Sequence, residues 1–166
     1  YETDEEGNLV ETEFDFETLI TGDVTLKARW EETVAYYAIA DSVSVTATGK
    51  IGLVFYVIVP EAITENMTAT FTFNGNTEAA IPTNSSEVTN GIRYRYQYNV
   101  PAPEDRRPVA LKLYDKNGTI IPLYNKEGEQ LADNAYTHSI YSFNELAQQK
   151  GSPRLKAFMA ALTNYS

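Results

Sequence analysis

The sequence predicts a mostly β chain: an antiparallel β-sandwich over residues 35–166 that closes with two C-terminal helices, preceded by a small strand-bearing segment over residues 1–34. Three observations predict it. From Tyr36 onward, short β-type runs recur at close spacing, bounded by Gly, Asn, Asp and Pro, as in a sandwich. Two Asn-Gly pairs, Asn74-Gly75 and Asn117-Gly118, sit between such runs, where the positive φ angles of tight turns are needed. Only near the C-terminus does the apolar spacing lengthen to that of helices.

Taken in order, Val24, Leu26, Ala28 and Trp30 alternate with Thr25, Lys27 and Arg29, which marks a strand buried on one face. Glu31 to Ala35 holds neither Gly nor Pro and reads as a short, stiff linker. The main domain then offers strands over 42–48, 51–59, 67–73, 77–81, 92–100, 109–114 and 119–124, the count and spacing of an immunoglobulin- or fibronectin-like sandwich. Ile51-Gly-Leu-Val-Phe-Tyr-Val-Ile-Val59 is apolar on both faces, so it belongs in the middle of a sheet covered on both sides. Ser142-Phe-Asn-Glu145 has the pattern of a capping box and Gly151 that of a stop, which predicts a first helix. Ser152-Pro153 opens a second, with Leu155, Phe158, Met159, Leu162 and Tyr165 on its apolar side and an overall helical segment of about 142–165.

Two resemblances extend this reading. The string Phe14-Asp-Phe16-Glu-Thr18-Leu-Ile20-Thr21, followed by Leu26, Ala28 and Trp30 and preceded by the turn Thr3-Asp4-Glu5-Glu6-Gly7, resembles the closing half of the Listeria-Bacteroides, or internalin-type B, repeat. The resemblance implies a partial β-grasp-like module and a place in a secreted or wall-attached bacterial protein. The repeat's opening strand and Gly-Trp-Tyr segment would lie before Tyr1, so the sequence is expected to begin inside a module. Ser42 to Tyr56, taken with Ala160-Ala-Leu162-Thr-Asn164-Tyr165, resembles an uncharacterised domain of extracellular proteins from gut Firmicutes, covering roughly residues 36–166. Ser166 stands where that family has glycine. Neither resemblance implies a catalytic residue.

Composition narrows the function classes. A chain of 166 residues with 43% hydrophobic and 12% aromatic content can build a real core. Its longest apolar run, Ile51 to Pro60, reaches about half the eighteen residues of a membrane helix, so no membrane insertion is expected. Cysteine is absent, which removes disulfides, thiolate nucleophiles and cysteine-based zinc sites. Residues 1–34 carry eleven acids against Lys27 and Arg29, whereas the rest of the chain balances twelve acids with eleven bases. Such a distribution offers nucleic acid no cationic stripe. The acidic run Thr3-Asp-Glu-Glu-Gly-Asn lacks the alternating oxygen ligands of a calcium loop and reads as a solvated turn.

No cofactor or metal is expected, and catalysis has little to build on. The single histidine, His138, has no Gly-x-Ser-x-Gly elbow to serve and reads as a surface or capping residue beside a helix start. Paired carboxylates of the glycosidase kind need two acids across a cleft, but Asp115, Glu127, Glu129 and Asp133 sit in turn-like sequence. The sequons at Asn66, Asn84, Asn117 and Asn164 matter only in a eukaryotic secretory pathway.

The candidate contact residues are Tyr94, Tyr96 and Tyr98, which alternate with Arg93, Arg95 and Gln97. A strand here displays three phenol rings on one face, suited to stacking on sugar C–H surfaces, and two guanidinium groups on the other. Ile92 and Val100 continue the tyrosine face, and the same pattern also describes a strand whose rings are core. The expected function is a non-enzymatic spacer, adhesion or interaction module of an extracellular or cell-wall protein, working beside neighbouring domains and a glycan or protein partner. A carbohydrate-binding module is the alternative.

Overall fold

The structure, a computed structural model, describes residues 2–3, 9–10, 36–47, 50–101 and 104–163. Contacts divide the chain into two units, 1–33 and 34–166. In the first, β1 (Glu2–Thr3) and β2 (Leu9–Val10) pair antiparallel, with Glu2 opposite Val10. The rest of residues 1–35, where the sequence predicts a Val24–Trp30 strand and a 31–35 linker, lies outside the described residues.

The second unit is mostly β, with two sheets and two C-terminal helices. Its strands are β3 (Ala38–Thr46), β4 (Gly52–Val59), β5 (Thr68–Phe73), β6 (Asn76–Ala79), β7 (Pro82–Val88), β8 (Gly91–Asn99), β9 (Val109–Tyr114), β10 (Leu123–Tyr124) and β11 (Tyr136–His138). One sheet runs β10-β3-β4-β8-β7 and the other β11-β9-β5-β6. Strand β4, the doubly apolar run, lies in the middle of the first sheet, as its sequence requires. All pairings in the sandwich are antiparallel except β10 with β3, which is parallel and sets Leu123 opposite Ala38. The expected antiparallel sandwich is present, and this one short parallel pair arises because the chain reaches β10 by crossing over from the other sheet.

The inner faces follow from period two. On β4 the side chains of Leu53, Phe55, Val57 and Val59 are fully buried, and cross-strand register sets Val45 and Val43 beside Leu53 and Phe55 on one flank. On the facing sheet, β5 alternates Thr68, Thr70 and Thr72 outward with Ala69, Phe71 and Phe73 inward, paired with Leu113, Leu111 and Val109 of β9. Phe55 joins the sheets: its ring lies 5.7 Å from Phe71 and 5.3 Å, edge-on, from Tyr136. Burying such a ring contributes about 1.5–3 kcal/mol, with a further increment for the aromatic geometry.

Turn chemistry matches the residues. Asn74 and Gly75 take φ of 51° and 79°, and Phe73 pairs with Asn76 across a two-residue hairpin of the expected kind. Gly91 opens β8 at φ 134°, and a Cβ there would stand 2.1 Å from the Val59 carbonyl oxygen, so only glycine fits.

Several boundaries differ from the sequence expectation. Strand β3 starts four residues before Ser42, because pairing with β4 extends to Ile39 and Ala38 pairs with Leu123 of β10. Strand β7 was not expected at all: Pro82-Thr-Asn-Ser-Ser-Glu-Val88 is exposed throughout and owes its conformation to pairing with β8. Only Leu123–Tyr124 of the 119–124 run is strand, although Ile120 bridges to Tyr114. The first helix, α1 (Ile140–Lys150), begins three residues early, since Ser139 is its N-cap and exchanges hydrogen bonds of 2.9 Å with Ser142. Ser142, read from sequence as the cap, is instead the partner three residues inside. Gly151 ends α1 and Pro153 opens α2 (Pro153–Thr163) as expected. Met159 is fully buried and Leu155 and Leu162 pack on the core, but Phe158 is 39% exposed; Tyr165 lies outside the described residues.

Replacing Phe55 by Ala is expected to cost about 3–5 kcal/mol, read as a lower denaturant midpoint with little change of slope. Gly91→Ala should lose about 2 kcal/mol or more, whereas Gly75→Ala, with no atom near its would-be Cβ, should lose only the cost of its positive φ, about 1 kcal/mol.

Candidate functional site

Strand β8 carries all the candidate contact residues named from the sequence. Its register on β4 sets Tyr98 beside Leu53, Tyr96 beside Phe55 and Tyr94 beside Val57, all partners on the core side. The tyrosine face therefore points inward. Tyr96 is 1% exposed, and Tyr94 and Tyr98 are half-buried against the core, with the Tyr98 ring 5.3 Å from Phe71 and 5.2 Å from Phe73. Phe71 of the opposite sheet meets the rings of Tyr96 and Tyr98, and Tyr96 has no surface to offer a ligand. Burial raises the Tyr96 hydroxyl well above the ordinary phenol value, with the neighbouring Tyr94 adding to it.

Arg93, Arg95 and Gln97 occupy the outward face, as the alternation predicts. Arg93 meets Asp41, whose carboxylate takes bonds from the guanidinium at 2.7 Å and 2.6 Å and from the Lys126 ammonium at 2.7 Å. The guanidinium also donates to Ser42 at 3.1 Å and lies 4.1 Å over the Tyr56 ring. A bulge places this carboxylate, since Ala40 pairs with Val57 and Ser42 with Tyr56, leaving Asp41 as the extra residue. Burial pushes the Asp41 carboxyl upward, but bonds and charges from Lys126 and Arg93 outweigh it and hold the group below its ordinary value.

Further along, the Arg95 guanidinium donates to Thr83 Oγ1 at 2.5 Å and to Gln97 Oε1 at 3.0 Å, and Gln97 donates onward to Asn99 at 3.1 Å. At the other margin, the rings of Tyr37 and Tyr124 lie 5.1 Å apart at 60°, with Tyr37 40% exposed. Next to it in sequence, Tyr36 donates to Asp115 at 2.6 Å.

Sequence reasoning passed over Tyr37, Tyr124, Asp41 and Lys126. A signal existed for two of them. Leu113-Tyr-Asp-Lys-Asn-Gly118 recurs ten residues on as Leu123-Tyr-Asn-Lys-Glu-Gly128, and both copies form the same turn. In each, the first turn residue bonds to the residue four later, Asp115 N–H to Thr119 and Asn125 N–H to Glu129, both at 2.9 Å. The side chains of Asp115 and Asn125 accept the return N–H at 2.8 Å. The bulge at Asp41 had no sequence mark.

His138, expected on the surface or as a cap, is neither. It lies in β11 with its ring 5.1 Å from Tyr136 and 6.3 Å from Phe55, and burial holds the imidazole below its ordinary value. The turn reading of Asp115 holds, and the Tyr36 hydroxyl with the turn N–H groups lowers its carboxyl. A shallow depression of about 320 Å³ lies on the opposite sheet, between Thr72, Asn74, Arg107 and Thr137, where Arg107 bonds to Asn74. Among the described residues, no group of three His, Asp or Glu side chains could hold a metal ion, and no helix is long and apolar enough to cross a membrane. Compared with models of protein families, with characterised proteins and with solved structures, the chain matches none.

A histidine held below 6.5 in the folded chain takes up its proton later than in the unfolded chain, so its contribution is complete above that value and declines below it. Asp41 follows the same sign at lower pH, its contribution being present above 3.8 and lost as acid titrates below it. Denaturant midpoints should therefore fall between about pH 7 and about pH 5, and His138→Leu should flatten that slope. An equal slope in the variant would remove His138 as the cause. Asp41→Asn should cost on the order of 1–2 kcal/mol near neutral pH, less than a fully buried pair because Arg93 keeps 34% of its surface in water.

Proposed function

We propose that this chain is a non-enzymatic interaction or spacer module of an extracellular bacterial protein, in which the sandwich holds a binding face and neighbouring domains in fixed relation. The observation that carries the reading is what its ionisable side chains do. Asp41 is held by Arg93 and Lys126, Asp115 closes a turn, and His138 packs against rings. Groups a hydrolase would keep free for proton transfer serve here to hold strands and turns together. The extracellular placement rests on the resemblance of residues 1–32 to a surface-protein repeat and of 36–166 to an extracellular domain.

Two measurements test it. Antibodies against residues 36–166 should label intact cells that make the protein, and labelling only after permeabilisation would overturn the placement. The purified chain should leave polysaccharide, ester and peptide substrates unhydrolysed. Turnover that disappears on replacing one carboxylate would make it an enzyme instead.

A further inference from the structure

The outward face of the five-stranded sheet carries three cations in a unit whose sequence is close to neutral. The acid excess of the sequence lies in residues 1–34, while residues 35–166 set twelve acids against eleven bases, and on this face Arg93 and Lys126 hold the carboxylate of Asp41 with Arg95 further along β8. Arg95 has no carboxylate partner among the described residues. Its guanidinium is held instead by two neutral acceptors, Thr83 Oγ1 and Gln97 Oε1, which fix its direction and leave its charge uncompensated. Beside it on β8 and β7 stand the amides of Gln97, Asn99 and Asn84, suited to hydroxyl groups.

The far margin of the same face is aromatic. Tyr37 precedes the inward Ala38, and Tyr124 follows the inward Leu123, so both rings fall on the outward side. Tyr124 is restrained by its hydroxyl, 3.5 Å from Gln130 Oε1, and Tyr37 by the Tyr124 ring. Ile39 and Ile58, paired across β3 and β4, continue the surface toward Arg93. Register puts Arg95 level with Ser42, two strands from β3, so strand rise and spacing separate Arg95 from Tyr37 by roughly 16 Å. A short oligosaccharide spans that length.

We propose that this face binds an acidic oligosaccharide, one sugar ring stacking at Tyr37 and Tyr124 while a uronate carboxylate is received by Arg95. The C–H face of a pyranose complements an aromatic π face. A planar carboxylate matches the fork of a guanidinium, and attraction by a partly exposed cation weakens as salt is added. The inference goes beyond the module reading, and it replaces the inward tyrosines of β8 with a different aromatic pair on the opposite face of the same sheet.

The test is isothermal titration of the full chain with trimers of galacturonate, mannuronate and alternating glucuronate-N-acetylglucosamine, beside neutral galactotriose and sodium phosphate. At least one acidic trimer should bind about tenfold more tightly than the neutral one. Arg95→Gln should reduce it to the neutral level, Arg95→Lys should retain part of the gain, and Tyr37→Ala should weaken acidic and neutral sugars alike. Unchanged denaturant midpoints show that the variants fold. Absence of binding by all three acidic trimers overturns the proposal, as does binding that Arg95→Gln leaves intact. Competition by phosphate at the same concentration as the trimer would reduce the face to a simple anion site and overturn it as well.

Discussion

Contact between the rings of opposite sheets is the constraint on which the rest of the second unit depends. Phe55 stands at the centre of β4 and meets Phe71 of the facing sheet and Tyr136 of its edge strand. Phe71 in turn packs edge-on against Tyr96 and Tyr98. These rings set the spacing of the layers and select which face of each strand is inside, because a shift of one residue along any strand would send its aromatic side chains into water. The inward turn of the β8 tyrosines follows directly, as does the outward placement of Arg93 and Arg95.

That placement explains how a unit of nearly neutral sequence comes to hold a cationic surface. Arginines alternating with core tyrosines emerge side by side on the outer face, and a single bulge in β3 delivers Asp41 to one of them. Lys126 arrives from a turn after β10, the short strand that pairs in parallel with β3. The electrostatic arrangement thus draws on three segments far apart in sequence. Asp41 neutralises Arg93, whereas Arg95 has only neutral acceptors among the described residues, and this asymmetry gives the face a direction from aromatic margin to the Arg95 guanidinium.

Much of the fold was legible because it depends on local chemistry. Val109 to Tyr114 alternates without interruption and forms the predicted strand to the residue. Asn74-Gly75 demands positive φ and has it, and Gly151 and Pro153 mark the junction between the helices. The misread elements lack such marks. The run Pro82 to Val88 has no apolar face, so only its hydrogen bonds to β8 make it a strand. Tyr136 to His138 is too short to show a period, and it acquires its conformation from β9.

By itself, then, the sequence determined the class of fold, the middle position of β4, the Asn74-Gly75 turn and the junction between the two helices, since each rests on the preferences of a residue and its nearest neighbours. It also determined that tyrosines and arginines of β8 lie on opposite faces, because alternation is a property of a single strand. Which face is inside was decided only by tertiary structure, where a second sheet brings Phe71 and Phe73 against the phenol rings. The meeting of Asp41, Arg93 and Lys126 and the Tyr37–Tyr124 pair were decided there too. Each joins residues more than thirty positions apart, and no local preference encodes a contact that exists only once the strands are in register.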